Sequence, residues 1–300
     1  MKTKSVVNKE TVMQWVFTIC ACVSILAVAL ICLFLFANGL PTIGKIGPLN
    51  FLLGTNWKPG NDLYGILPMI LGSIYVTAGA IIIGVPTGLL TAIYMSRFAS
   101  PRTNRVLLPA VQLLAGIPSV VYGFFGMVVL VPGIQAILKT DFVRKVLHIN
   151  NGKGMSLFTA SLLLGIMILP TIITVSKTSL DAVPQSYYEG SLALGATHER
   201  SVFFTVLPAA KSGVMSAVIL GIGRAIGETM AVVMVAGNQT WMPQGLFQGL
   251  RTMTSNIVIE MGYAAGLHRE ALFSIGLILF IFIFAINLIL TGILKKGAKQ

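Results

Sequence analysis

The sequence predicts an all-α integral membrane protein with six transmembrane helices, and three observations predict it. Only 10% of the 300 residues are charged and 55% are hydrophobic, whereas a soluble domain is nearer a quarter charged. Apolar runs with almost no charge, each long enough to cross a bilayer, recur six times along the chain. The basic residues cluster in the short segments between those runs. A net charge of +12 therefore reads as membrane topology and not as a nucleic-acid surface.

Span 1 lies in the run 11–44, with its apolar part near 12–37. Lys2, Lys4 and Lys9 precede it, so a signal peptide is the rival reading. Its apolar stretch is about twice a signal's length and no small-residue cleavage site ends it, so it reads as an uncleaved anchor. Cys20, Cys22 and Cys32 all sit in this one run. They form neither a disulfide framework nor a zinc site and read as packing residues. Span 2 (63–96) contains Gly84, Pro86 and Gly88. Span 3 (106–138) contains Gly116, Pro118, Gly123 and Gly126. Span 4 is 154–176, span 5 about 212–237 and span 6 271–294. The pairs Gly84/Gly88 and Gly223/Gly227 allow helices to approach closely. Proline and glycine can also bend a helix where it lines a cavity.

Six spans put both termini on one side. If that side is the cytoplasm, the inner segments carry 12 of the 21 Lys and Arg residues and the outer loops carry 8, the bias expected of cytoplasmic loops. The loop after span 3 is the most basic outer one, with Lys139, Arg144, Lys145 and Lys153. It reads as solvated, with an anion-meeting surface as the alternative. His148, His198 and His268 are scattered through loops and read as solvated too. No internal repeat argues for inverted halves, which weighs against a secondary transporter.

Span 5 holds the first chemical signal. Arg224 and Glu228 are its only charges, and a charge at bilayer depth costs at least a few kcal/mol. At i,i+4 on a continuous helix the two would face each other and pair. Arginine stays charged and offers a donor fork matched to oxyanions. The pair is thus either an anion site or a permanent packing bridge. Thr229, Ser119 and Tyr122 add hydroxyls that could line a path, although such groups more often bond to backbone.

The second signal is the polar loop 177–211. Pro184 can open a short helix ending at Gly195, with Tyr188 and Leu192 on one face. Thr197 can cap a second short helix with Glu199 in its first turn, and Pro208 would start the next span. Glu189, Gly195 six residues on, and Leu207-Pro208 twelve residues further resemble the EAA loop of ABC-importer permeases. The triplet is Glu189-Gly190-Ser191 here, and Thr205 stands where that family usually has Ile.

The resemblance extends over spans 2–6 and becomes specific at two stretches. These are Gly116-Ile117-Pro118-Ser119-Val120-Val121-Tyr122-Gly123-Phe124-Phe125-Gly126 and Arg224-Ala225-Ile226-Gly227-Glu228-Thr229-Met230-Ala231. Both are similar to the C-type permease of phosphate-specific transport systems, and the extra N-terminal span fits that type. The resemblance implies an anchor segment (1–62) followed by a five-helix type-1 permease core (63–296). It implies an importer of inorganic phosphate built from this chain, an A-type second permease, a dimer of ATP-binding subunits and an extracytoplasmic phosphate-binding protein. Glu189, Gly190, Ser191, Gly195, Leu207 and Pro208 would couple to the ATPase, while Arg224, Glu228, Thr229 and Ser119 would belong to the path. No cofactor, metal or nucleic acid is implied, and the chain carries no phosphate-binding Gly-x4-Gly-Lys loop of its own. Another oxyanion such as sulfate or molybdate is the alternative substrate. A self-sufficient channel or secondary transporter is the alternative class, and neither needs an ATPase-docking loop.

Overall fold

The computed structural model describes residues 3–140 and 152–297. Arg144, Lys145 and His148 lie outside the described residues. Among the described residues five helices are long and apolar enough to cross a membrane, and a pair bent by 71°, His198–Ala209 with Lys211–Gly227, passes the same test only when its two helices are taken together.

Helix α1 (Thr3–Ile46) is followed by α2 (Pro48–Leu53) and a two-residue hairpin, β1 (Trp57–Lys58) paired antiparallel to β2 (Leu63–Tyr64). Helix α3 (Leu67–Ile93) then runs to the opposite end of the molecule. After it come α4 (Pro101–Gly116), α5 (Ser119–Phe125) and α6 (Val131–Lys139). The long α7 (Leu157–Asp181) precedes two short helices, α8 (Gln185–Ala193) and α9 (His198–Ser201). Next are α10 (Leu207–Ala209), α11 (Lys211–Gly227), α12 (Met230–Val235), α13 (Met253–Glu260) and α14 (Gly266–Gly297).

The core is the α3–α7 pair, and small residues make it possible. A Cβ on Gly84 would stand 2.8 Å from the Gly165 carbonyl oxygen, and one on Gly88 would stand 2.9 Å from Ile172. Without side chains at these two positions the backbones meet and dispersion contacts run the length of the seam. Ser161 Oγ donates across the pair to the Val76 carbonyl at 3.3 Å. The Gly223/Gly227 pair does not act this way, because nothing lies within 4 Å of where either Cβ would be. It is Gly221 that packs, with Ile172 3.1 Å away.

Helix α1 stands apart. Its apolar residues from Val12 to Leu33 are largely exposed, as suits a helix solvated by lipid. It rests mainly on α14, antiparallel, through Phe34 edge-on to Phe273 at 5.4 Å, Ser274 Oγ donating to the Gly39 carbonyl at 3.0 Å and a Lys45–Glu270 bridge at 2.9 Å. This packing puts both ends of the chain at the end opposite the hairpin, where the α7–α11 connection also lies.

Two spans differ from the sequence expectation. Span 3 does not run continuously through 106–138. Helix α4 ends at Gly116, Ile117 and Pro118 are extended, and the membrane-length helix is Ser119–Lys139. Proline disfavours helical backbone at the residue before it, which places the break. Span 5 is not continuous either: α11 ends at Gly227, Glu228 is extended with ψ 132°, and α12 begins at Met230.

The two glycine environments generate a contrast. Gly84→Val forces a Cβ and two methyls into the Gly165 backbone and is expected to cost about 1–3 kcal/mol. Gly223→Ala meets open space and replaces a poor helix former, so it should be neutral or stabilise by up to ~1 kcal/mol. Thermal unfolding midpoints of the two variants in detergent check this, and a Gly84→Val midpoint equal to wild type would refute the seam.

Candidate functional site

The two sequence stretches that carry the resemblance fold against each other. A Cβ on Gly123 would lie 3.0 Å from the Ala231 Cα, and one on Gly126 would lie 2.9 Å from Val235. Helix α5 therefore packs directly on α12, each just beyond a break in its own span. Backbone polar groups freed at such breaks need partners, because lipid supplies none. Side chains from the motifs themselves supply them. Tyr122 Oη donates to the Leu114 carbonyl at 2.8 Å, reaching back across the Pro118 break. Glu228 Oε1 accepts from the Ala231 amide at 3.2 Å and so caps α12. Thr254 Oγ1 donates to the Glu228 carbonyl at 3.2 Å from a separate element.

The expected Arg224–Glu228 pair is not made. No such bridge occurs among the described residues, and the reason is the break: i,i+4 neighbours share a face only while the helix continues. The two side chains diverge instead. Glu228 turns to its cap, and Arg224 Nη1 donates to Thr171 Oγ1 of α7 at 3.2 Å. That hydroxyl is neutral and is the one hydrogen-bond acceptor for the half-buried guanidinium among the described residues. Of the hydroxyl candidates, Tyr122 is committed to Leu114 and lies within electrostatic range of Arg224. Thr229 Oγ1 bonds back to the Gly227 carbonyl at 3.2 Å. Ser119 opens α5 at the Pro118 break.

The polar loop folds much as its sequence reads. Pro184 is the N-cap of α8, one residue ahead of the first-turn position expected for it. Gly195 takes φ +85°, a left-handed conformation that suits glycine and ends α8. The Thr197 hydroxyl accepts from the Arg200 amide and caps α9. The tip is exposed: Glu189, Gly190 and Gly195 face solvent, and Leu194 is 91% exposed. The base of the loop is anchored. Ser201 Oγ donates to Ser191 Oγ at 3.0 Å, and Tyr188 Oη and His198 Nδ1 are 2.8 Å apart. The His198 ring also packs edge-on against Phe98 at 4.6 Å. Pro208 lies before the bend, not at the start of the span. The chain turns by 71° between Ala209 and Lys211.

Sequence reading missed one polar cluster. Glu260 is 5% exposed. Its Oε1 accepts from Arg251 Nη1 at 2.6 Å, and its Oε2 accepts from Trp57 Nε1 at 2.8 Å and meets His268 Nε2 at 2.8 Å. His268 is therefore a part-buried partner and not a solvated loop residue, Arg251 is part-buried beside it, and His198 is likewise engaged. The sequence signal was a lone carboxylate, Glu260, directly after the apolar triplet Ile257-Val258-Ile259. Its partner Trp57 lies 203 residues away.

A double-mutant cycle separates a diverged Arg224 and Glu228 from a bonded pair. Arg224→Gln and Glu228→Gln should act on stability almost independently, with a coupling below about 0.5 kcal/mol. Denaturation of the single and double variants checks this, and a coupling of ~1 kcal/mol or more would mean that the pair exists.

Comparison with known proteins bears on this arrangement. Residues 84–299 match the family model described as "Binding-protein-dependent transport system inner membrane component". A probable ABC transporter permease protein, YqgH of Bacillus subtilis, is 38% identical over 283 residues, covering 92% of this chain and 88% of the relative. The phosphate transport system permease protein PstC of Haemophilus influenzae is 35% identical over 264 residues, covering 84% and 82%. Among solved structures, an inward-facing MetNI methionine ABC transporter chain aligns with a TM-score of 0.55 at 19% identity, covering 84% of this chain and 98% of that one. This last likeness bears on the fold alone.

Proposed function

We propose a function from the premise that the chain belongs to the family of binding-protein-dependent transport system inner membrane components: it is the membrane permease subunit of an ATP-driven, binding-protein-dependent importer of inorganic phosphate. It is a non-catalytic transport subunit, integral to the inner membrane, and ATP hydrolysis belongs to a separate partner. The phosphate assignment rests on the several relatives of 31–35% identity that are phosphate transport permeases. The chemistry of the break agrees with it. A half-buried guanidinium with one neutral partner can exchange that hydroxyl for an oxyanion, gaining charge-assisted hydrogen bonds. No bound carboxylate has to be displaced first.

The remaining assignments are our reading. Both termini and the α8–α9 loop face the cytoplasm, consistent with the 12-to-8 distribution of basic residues. The exposed tip around Glu189, Gly190, Ser191 and Gly195 seats in the ATPase, and Leu207-Pro208 carries its movement through the 71° bend into α11, which ends at the Arg224–Glu228 break. A second, A-type permease completes the path, and the extracytoplasmic phosphate-binding protein docks at the hairpin end. Arg224 attracts the anion, while Glu228, Thr229 and Ser119 shape the break beside it. Sulfate or molybdate is the competing substrate.

Three outcomes test this. Arg224→Gln should cut phosphate uptake at least ~100-fold, the scale of losing a charge-assisted contact in a desolvated site, while the complex still assembles and hydrolyses ATP. Uptake by proteoliposomes with the partner subunits and binding protein measures it, and unimpaired uptake refutes the path. Gly195→Pro should leave the chain inserted but uncouple ATP hydrolysis from uptake, because proline cannot take φ +85°. Single cysteines at Thr103 and Ser186 should label from the cytoplasm, and those at Asn61 and Gln239 from outside. The reverse pattern would overturn the topology.

A further inference from the structure

Helix α13 joins two places that the sequence keeps far apart. At its start the Thr252 hydroxyl accepts from the Ser255 amide at 3.2 Å, and the Met253 amide donates to Ser73 Oγ of α3 at 3.0 Å. One residue further, Thr254 Oγ1 donates to the Glu228 carbonyl at the span-5 break. At its other end sits Glu260, held by Arg251, Trp57 and His268. Eight helical residues make a rod about 12 Å long. One end of it satisfies the break, and the other is fixed to the hairpin and to the start of α14.

The cluster at the fixed end is an expensive way to secure a helix. A buried ion pair often contributes no more stability than apolar residues of the same volume, and its best-attested use is to fix a register. Here the register is strict. The Glu260 carboxylate is shared among three elements, and Arg251 also donates from Nε to the Asn238 carbonyl at 3.1 Å and from Nη1 to Asn256 Oδ1 at 2.9 Å. Asn238 lies three residues past the end of α12. The cluster therefore grips two segments that follow the break, α13 and the turn after α12.

We propose that Glu260 is a positioning residue for transport: through α13 and the Thr254 hydroxyl it holds the Glu228 break in its resting geometry and limits access to that break from the hairpin end. The proposal rests on the permease reading and extends it to a cluster with no contact to Arg224 among the described residues. Loosening the cluster frees the rod, the Glu228 carbonyl loses its donor, and the break opens.

The test reads access directly and does not depend on which anion is carried. Thr229→Cys is introduced with Cys20, Cys22 and Cys32 replaced by Ala, and the assembled complex is labelled from the hairpin side with a membrane-impermeant maleimide. Glu260→Gln and Thr254→Val should each speed labelling about tenfold, the effect of shifting a two-state equilibrium by roughly one hydrogen bond's worth. Combining them should add little, because both release the same rod. Thr254→Ser keeps the hydroxyl and should label like the parent. Trp57→Phe keeps the ion pair, removes one N–H donor and should speed labelling by a smaller factor. It serves if Glu260→Gln fails to assemble. Unchanged labelling in Thr254→Val and Trp57→Phe, or multiplying effects in the double variant, overturns the proposal. A wild-type complex that carries sulfate and not phosphate would overturn the substrate reading and leave these labelling outcomes intact.

Discussion

Two helices break beside one another in the membrane-spanning part of this protein, and lipid offers their freed backbone groups no partner. The structure is arranged around supplying those partners from within. Tyr122 reaches back to Leu114, Glu228 caps α12, and Thr254 is brought in from a separate element to the Glu228 carbonyl. Each partner requires that its element be held in place. The close contact of Gly123 with Ala231 brings the broken spans together. The α3–α7 seam supplies the wall against which α11 leans, through Gly221 and Ile172.

The same constraint accounts for the division of labour among the charges. On a continuous helix Arg224 and Glu228 would be expected to pair. At a break, the carboxylate is worth more as a cap for an otherwise orphaned amide, which leaves the guanidinium on a neutral hydroxyl. An unfulfilled cation in a half-buried setting is costly for a structural element and useful for an anion carrier. Full charge pairing is found at the hairpin end, in the Glu260 cluster, where the task is to fix three segments and not to exchange a partner.

The loop that reads as an ATPase contact shows a related contrast between tip and base. Its tip, from Glu189 to Gly195, is exposed and offers Leu194 to solvent. Its base is tied by Tyr188, His198 and Phe98 to the end of span 2. The 71° bend follows Pro208 and leads into α11.

Much of this was legible in the chain. Composition and the charge-poor runs determined that it is a helical membrane protein, because bilayer thickness and solvation leave few other solutions. Gly84/Gly88, Gly195 and Thr197 were readable because each acts locally, through a missing Cβ, a left-handed backbone or a cap within its own segment. Tertiary structure decided what depends on distant partners or on whether a helix continues. Periodicity assumed an unbroken span 5 and so paired Arg224 with Glu228. It gave Gly223 and Gly227 the packing role that falls to Gly221, and it ran span 3 through the Pro118 break. His198 and His268 looked solvated because their partners are invisible locally, and Trp57 meets Glu260 across 203 residues. Such long-range contacts are fixed only when the helices pack, since burial is what makes a lone carboxylate seek an arginine, a tryptophan and a histidine at once.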